Sequence, residues 1–115
     1  MELNRERFVE TMREQAEIGK TSNGGLHRLT LSDEDKQVRD WFLERMDDAG
    51  LSVRIDEFGN MFGRRAGERN LDPVLVGSHL DSQPYGGIYD GALGVVAGLE
   101  LVRTLNDRQI DTRRP

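Results

Sequence analysis

The spacing of apolar residues predicts two amphipathic helices in the first half of the chain. In residues 3–18, and again in residues 32–49, apolar side chains recur at intervals of three and four, as on a helix with one buried face. Gly19 and Gly50 follow these stretches, and glycine commonly ends a helix. Ser32 and the three acidic residues after it are typical of a helix start, where side-chain oxygens accept hydrogen bonds from free backbone amides.

Between residues 51 and 77 the pattern becomes typical of β-strands. Residues 51–56 alternate between apolar and polar side chains, which predicts a half-buried strand. Residues 60–64 return after a short turn and are predicted to pair with it as a hairpin. Residues 73–77 are apolar throughout, which predicts a strand buried on both faces of a mixed or parallel sheet.

The last predicted helix, residues 91–105, is apolar around most of its circumference, so we expect it in the interior. Its Gly94 and Gly98 would let a neighbouring strand or helix approach its backbone closely. The order of elements predicts the α/β fold class, with helices flanking a mixed or parallel sheet. Because the chain then runs into a polar stretch without a closing element, we expect residues 1–115 to be the N-terminal portion of one larger domain.

Composition narrows the functional classes. The 115 residues are 36% hydrophobic and can bury a core. No apolar run approaches the roughly 18 residues of a membrane span, so we expect no membrane partner. The net charge of -5 argues against a nucleic-acid partner, which would require a basic face. The absence of cysteine and of an apolar leader makes the cytoplasm the expected location.

Three side chains of metal-binding types follow the predicted strand at residues 73–77. His79 and Asp81 come at its end, and Asp90 follows a glycine-rich turn just before the last helix. Imidazole and carboxylate groups are the ligands that zinc and similar ions prefer in hydrolytic sites. The spacing lets Asp81 reach the far nitrogen of a metal-bound His79. The helix dipole favours an ionised Asp90, which could bridge two cations.

Simpler interpretations exist for each of these residues. His79 could be an ordinary hydrogen-bonded histidine at a strand end, Asp81 a turn residue, and Asp90 the N-cap of the helix that follows it. The glycine-rich turn lacks the lysine of a phosphate loop. His27, in a loop after two glycines, is expected to be a surface or packing histidine rather than a ligand.

A known family has a similar motif. The M20-type metallo-amidohydrolases, above all the N-carbamoyl-L-amino-acid hydrolases and allantoate amidohydrolases, carry a first metal motif that resembles Gly77-Ser78-His79-Leu80-Asp81-Ser82 followed by Gly86-Gly87 and Tyr89-Asp90-Gly91. The resemblance implies that His79 binds one metal, that Asp90 bridges two, and that Asp81 belongs to the catalytic apparatus as the partner of His79. It also implies a cis peptide between Asp90 and Gly91.

The resemblance further implies a hydrolase of C–N bonds other than peptide bonds, acting on ureido groups or linear amides of small molecules such as N-carbamoyl-L-amino acids or allantoate. It implies two divalent ions, zinc, manganese or cobalt, and a homodimer in the complete protein. The chain lacks the Glu-Glu pair that supplies the family's general base and a further ligand, so we expect it to be inactive alone. A related aminoacylase or dipeptidase-like peptidase and a non-catalytic α/β binding domain are the alternatives.

Overall fold

The computed structural model describes residues 2–115, in which it forms three helices and one β-hairpin. The elements are α1 (Arg5–Glu17), α2 (Asp33–Asp48), β1 (Ser52–Ile55), β2 (Met61–Arg64) and α3 (Ala92–Asp107). All three predicted helices and the hairpin are confirmed. The side chains of Asn4 and Ser32 accept amide hydrogen bonds at the starts of α1 and α2. Gly19 and Gly50 follow these helices with positive φ angles of 78° and 72°, which suit glycine.

The hairpin is antiparallel, and Ile55 pairs with Met61 next to its turn. The carboxylate of Asp56 closes the turn by accepting hydrogen bonds from two backbone amides, at 2.9 and 3.0 Å, and from the side-chain amide of Asn60 at 2.9 Å. The Asn60 side chain is the largest cause that holds the pKa of Asp56 below its ordinary value. All four residues of β1 are exposed. The predicted half-burial is therefore wrong for residues 2–115.

The core lies between the three helices. It consists of the buried side chains Met12, Val38, Leu80, Ala92, Val95 and Val96, against which Phe8, Ile18, Trp41, Phe42 and Met61 pack. One of these, Leu80, comes from the segment between the hairpin and α3. Close packing around Leu80 therefore holds the chain where the candidate site residues lie on either side of it.

Residues 73–77 do not form the predicted buried strand. The exposed fractions of Val74, Leu75 and Val76 are 72%, 75% and 61%. A strand inside a sheet needs a hydrogen-bonded neighbour on each side, whereas here the Val74 amide donates to the carbonyl oxygen of Pro115 at 2.9 Å. The α/β class is confirmed, and the sheet that residues 2–115 form is the two-stranded hairpin.

Residues 73–82, which we call the site segment, lie against α3 where that helix carries glycine. A Cβ atom at Gly94 would lie 2.8 Å from Cβ of Ser78, and one at Gly98 would lie 3.3 Å from Cγ1 of Val76. The predicted close approach to the backbone of α3 is thus confirmed. Because residues four apart lie on one face of a helix, the site segment runs along α3 and ends at its N-terminus.

A buried carboxylate joins α1 to α3. Glu100 is 1% exposed and accepts two hydrogen bonds from the guanidinium of Arg7, at 2.9 and 2.7 Å. Such two-pronged pairs are among the strong hydrogen bonds of proteins. The apolar pattern of α3 placed the helix in the interior but did not indicate a buried ion pair. In residues 2–115 no helix, α3 included, has the length and apolar character needed to cross a membrane.

Candidate metal site

His79, Asp81 and Asp90 lie together beside the N-terminus of α3. Nδ1 of His79 lies 3.2 Å from Oδ1 of Asp81, and Nε2 lies 3.8 Å from Oδ1 of Asp90. The imidazole therefore stands between two carboxylates, one near each nitrogen. The three side chains are 51%, 38% and 59% exposed, so the cluster is open to solvent. The structure brings together all three residues that the sequence singled out.

The surroundings of Nδ1 indicate which nitrogen of His79 carries the proton. Nδ1 also lies 3.1 Å from the backbone carbonyl oxygen of Asp81. A carbonyl oxygen and an ionised carboxylate only accept hydrogen bonds, so Nδ1 carries the proton and donates it. Nε2 then presents its lone pair on the side of Asp90, which is the arrangement that a metal-binding imidazole requires.

Asp90 does not cap α3 with its side chain. The N-cap residue is Gly91, with no side-chain capping hydrogen bond, so the interpretation of Asp90 as an ordinary N-cap is wrong. Its backbone carbonyl accepts from the amide of Ala92 at 2.8 Å. Asp90 thus stands one residue before the N-cap of α3. The expected cis peptide after Asp90 is also wrong, since residues 2–115 contain no cis peptide bond.

Gly91 lets His79 approach the start of α3. Its φ of +72° is in the left-handed region, and a Cβ atom there would lie 2.5 Å from Nδ1 and from the carbonyl oxygen of His79. Any side chain at this position would be strained by the positive φ and would also clash with the imidazole. The distance between His79 and Asp90 therefore depends on glycine at the residue after Asp90.

A buried arginine anchors the site segment to α1. Arg28 has no exposed surface, and its Nε donates to the carbonyl oxygen of Leu80 at 2.7 Å. Its Nη1 donates to two carbonyls at the C-terminal end of α1, that of Gln15 at 2.8 Å and that of the C-cap residue Ile18 at 2.9 Å. The Ser82 amide donates back to the carbonyl of Arg28 at 2.7 Å. Burial lowers the pKa of Arg28, but a guanidinium stays charged. The backbone from Leu80 to Ser82 is thus held at both ends.

The carboxylate of Asp81 has a second partner. Oγ1 of Thr30 donates to Oδ2 of Asp81 at 2.7 Å, while Oδ1 faces His79. Neither Thr30 nor Arg28 was predicted to act at this site. Both lie in a loop without periodic pattern, where no local signal tells whether a side chain points inward.

The second histidine of the chain lies outside this cluster. His27 is exposed, and its Nδ1 lies 2.9 Å from the carbonyl oxygen of Pro84. This contact ties two loops together. It agrees with the expectation of a surface or packing histidine.

The donor atoms fit two ligands of one divalent ion. Ligand atoms that each lie about 2.1 Å from an ion are roughly 3–4 Å apart. The 3.8 Å between Nε2 of His79 and Oδ1 of Asp90 is within that range. Among residues 2–115, no group of three or more histidine, cysteine or acidic side chains is arranged to hold a metal. A catalytic zinc ion needs three protein ligands, so His79 and Asp90 alone would not complete such a site.

Comparisons with known proteins lead to one group of hydrolases. Residues 60–114 match the family model described as peptidase family M28. An N-carbamoyl-L-amino-acid amidohydrolase of Rhizobium meliloti is 46% identical over 114 residues, which are 98% of this chain and 27% of the relative. A ureidoglycolate hydrolase of Oryza sativa subsp. japonica is 42% identical over 88 residues, or 76% of this chain and 18% of the relative.

The solved structures agree with the sequence relatives. The crystal structure of a hydantoinase/carbamoylase family amidase from Burkholderia ambifaria matches with a TM-score of 0.96 at 48% identity. The match covers 98% of this chain and 28% of that chain. The chain therefore has the fold of one segment of these proteins and spans less than a third of their length.

Proposed function

Because the chain belongs to the family of hydantoinase/carbamoylase amidases and N-carbamoyl-L-amino-acid amidohydrolases, which are metal-dependent hydrolases, we propose that its protein hydrolyses C–N bonds other than peptide bonds. The substrates are ureido groups or linear amides of small molecules, such as N-carbamoyl-L-amino acids. The observation that carries the proposal is the position of His79 between two carboxylates, with Nε2 3.8 Å from Asp90.

In this proposal each of the three residues has its own role. His79 would hold a divalent ion through Nε2, and Asp90 would hold the same ion and share it with a second. Asp81 would not touch either ion; its backbone carbonyl accepts from Nδ1 at 3.1 Å and its carboxylate lies 3.2 Å from the same nitrogen, which would orient the ring and keep Nε2 basic. Two bound ions, zinc, manganese or cobalt, would polarise the substrate carbonyl and activate water.

The remaining assignments concern the whole protein. We propose that residues 1–115 are the N-terminal portion of its catalytic domain. We also propose that it acts as a homodimer on a small-molecule substrate in the cytoplasm, without a nucleic-acid or membrane partner. The net charge of -5 supports the absence of a nucleic-acid partner, because nucleic-acid binding requires a basic face.

An exchange of segments tests the role of these residues in hydrolysis. Residues 2–115 replace the matching segment of the Rhizobium meliloti amidohydrolase, to which this chain is 46% identical. The exchanged enzyme should release ammonia from an N-carbamoyl-L-amino acid. His79→Ala and Asp90→Ala should lower kcat/KM by more than about 100-fold, and Asp81→Asn by about 10–100-fold, as is typical of partners of metal ligands.

His27→Ala is the matched control, because it removes the other imidazole of the chain outside the cluster and should leave turnover unchanged. The 115-residue chain alone, with Mn²⁺ or Zn²⁺ added, should not turn over, since its described residues offer no third ligand. Normal turnover by His79→Ala in the exchanged enzyme would contradict the proposed role of His79, and measurable turnover by the chain alone would contradict the expectation that it carries only part of the site.

Peptide hydrolysis is the second candidate, because residues 60–114 match a peptidase family model. Assays of the complete protein with N-carbamoyl-L-alanine and with L-alanyl-L-alanine separate the two reactions. The C–N hydrolase proposal predicts turnover of the carbamoyl compound and little of the dipeptide. If neither is a substrate and His79→Ala leaves Mn²⁺ affinity unchanged, the protein is a non-catalytic binding domain instead.

A further inference from the structure

The carboxylate of Asp81 is oriented by a residue that is distant in sequence. Thr30 donates from Oγ1 to Oδ2 of Asp81 at 2.7 Å across 51 positions. With Oδ2 engaged, Oδ1 faces Nδ1 of His79 at 3.2 Å. Hydrogen bonds to an ionised carboxylate are roughly twice as strong as neutral ones. The contact therefore favours one orientation of a side chain that is 38% exposed and would otherwise be free to rotate.

The backbone that presents Thr30 is strained. Leu31 has a φ of +67° although it is not glycine, and its side chain is 94% exposed. Asp35 maintains this conformation by accepting a hydrogen bond from the Leu31 amide at 2.9 Å. The amide of Ser32 donates to the carbonyl of Leu29 at 3.0 Å and closes the same turn. Strain at a residue without a packing role is typical of segments whose geometry serves a site.

The other side of the contact is fixed as well. Arg28, two residues before Thr30, holds the carbonyl of Leu80 with its side chain. Its backbone amide donates to Oγ of Ser82 at 2.9 Å, and the Ser82 amide donates to its carbonyl. The loop and the site segment are thus joined on both sides of Asp81. This leaves Thr30 and Asp81 facing each other at a set distance.

We propose that Thr30 is a positioning residue of the hydrolase site, whose hydroxyl orients the Asp81 carboxylate so that it adds to the Asp81 backbone carbonyl in favouring a proton on Nδ1 of His79, with Nε2 directed to Asp90. The biological meaning of this inference rests on the proposed function. Its test does not, because the ratio of the two neutral forms of His79 can be measured in the metal-free chain without any substrate.

The test uses the 115-residue chain with ¹⁵N-labelled histidine. Two-bond correlations between ring protons and ring nitrogens report the ratio of Nδ1–H to Nε2–H forms at pH about 9, well above the ordinary titration range of histidine. The wild type should be mainly in the Nδ1–H form. Thr30→Val, which keeps the shape but removes the hydroxyl, should lower the ratio about threefold or more. Thr30→Ser should restore it.

Two further variants make the result decisive. Thr112→Val removes a hydroxyl that bonds to the carbonyl of Arg114 outside the site, and should leave the ratio unchanged. Asp81→Asn gives the ratio of Nδ1–H to Nε2–H forms expected without the carboxylate. The ratio in Thr30→Val should lie between that value and the wild-type value. Since Thr30 is exposed, the variant should keep its fold, which circular dichroism checks. An unchanged ratio in Thr30→Val, or an equal change in Thr112→Val, overturns the proposal without affecting the hydrolase assignment, which depends on turnover.

Discussion

Replacement of Gly91 by alanine tests whether the position of His79 depends on the missing side chain. The alanine Cβ would lie 2.5 Å from both Nδ1 and the carbonyl oxygen of His79, at a φ of +72°. Ordinary contacts between heavy atoms are about 3.5–4.0 Å. The ring and backbone of His79 would therefore have to move by about 1 Å, away from their present place beside Asp90.

Two energetic costs combine at Gly91, and a second glycine separates them. The left-handed conformation costs alanine about 1–2 kcal/mol relative to glycine. Overpacking against His79 adds about 1–3 kcal/mol. Gly50 has the same φ of +72° and nothing within 4 Å of its Cβ position. We therefore expect Gly50→Ala to lower the free energy of unfolding by about 1–2 kcal/mol and Gly91→Ala by about 2–5 kcal/mol.

Urea unfolding of the two variants, followed by circular dichroism, measures this difference. With a slope of about 1–3 kcal/mol/M for a small protein, the extra loss should place the midpoint of Gly91→Ala roughly 1 M below that of Gly50→Ala. The ring resonances of His79 should shift in Gly91→Ala and stay in place in Gly50→Ala. Equal midpoints with unchanged His79 resonances would refute the reasoning, because backbone conformation alone would then explain the loss.

Three further predictions concern stability. Glu100→Ala should lower the free energy of unfolding by about 2–4 kcal/mol in urea, because it removes the buried carboxylate that pairs with Arg7 and leaves that guanidinium only the more exposed Asp107; a loss below 1 kcal/mol would contradict this. The pKa of Asp56 lies below its ordinary value of 3.8 in the folded state, so its stabilising contribution is complete above that pH and is lost as the pH falls further. The stability difference between wild type and Asp56→Asn should therefore shrink on acidification, and a constant difference would exclude this cause. Gly94→Ala should destabilise the chain more than Gly98→Ala, because its Cβ would lie 2.8 Å rather than 3.3 Å from the site segment, and equal midpoints would contradict that ranking.

The helices could be predicted because their signals are local. Ser32 accepts an amide hydrogen bond as the N-cap of α2, and Gly50 follows that helix in the left-handed conformation. Strand burial is not local. The apolar run at residues 73–77 indicates a buried strand only if neighbouring strands cover it, and residues 2–115 supply none. The same reason applies to β1, whose alternating pattern was right for a strand but not for its burial.

The residues of the candidate site also differ in whether a local signal reveals them. His79, Asp81 and Asp90 were found because their residue types and spacing suit metal chemistry, which a short motif can carry. Thr30 and Arg28 act through contacts with residues more than 50 positions away, so no local pattern reveals them. An arginine in a loop is ordinarily solvent-exposed, and only the folded chain shows that Arg28 is buried and that the exposed Thr30 contacts Asp81.

The residues whose contacts position the three site residues lie, in sequence, between the end of α1 and the start of α3. Gly91 sets the approach of His79 to the helix, and Arg28 and Thr30 hold the backbone and carboxylate of Asp81. These contacts position the three site residues without any further ligand. The side chains of His79 and Asp90 stay 51% and 59% exposed and are accessible to additional groups. If the proposed metal role is correct, less ordering is needed when an ion binds. Substitutions at Gly91 and Thr30 should therefore lower the metal affinity of the whole protein, although neither residue would touch the ion. Substitutions of residues that hydrogen-bond to metal ligands generally have this effect.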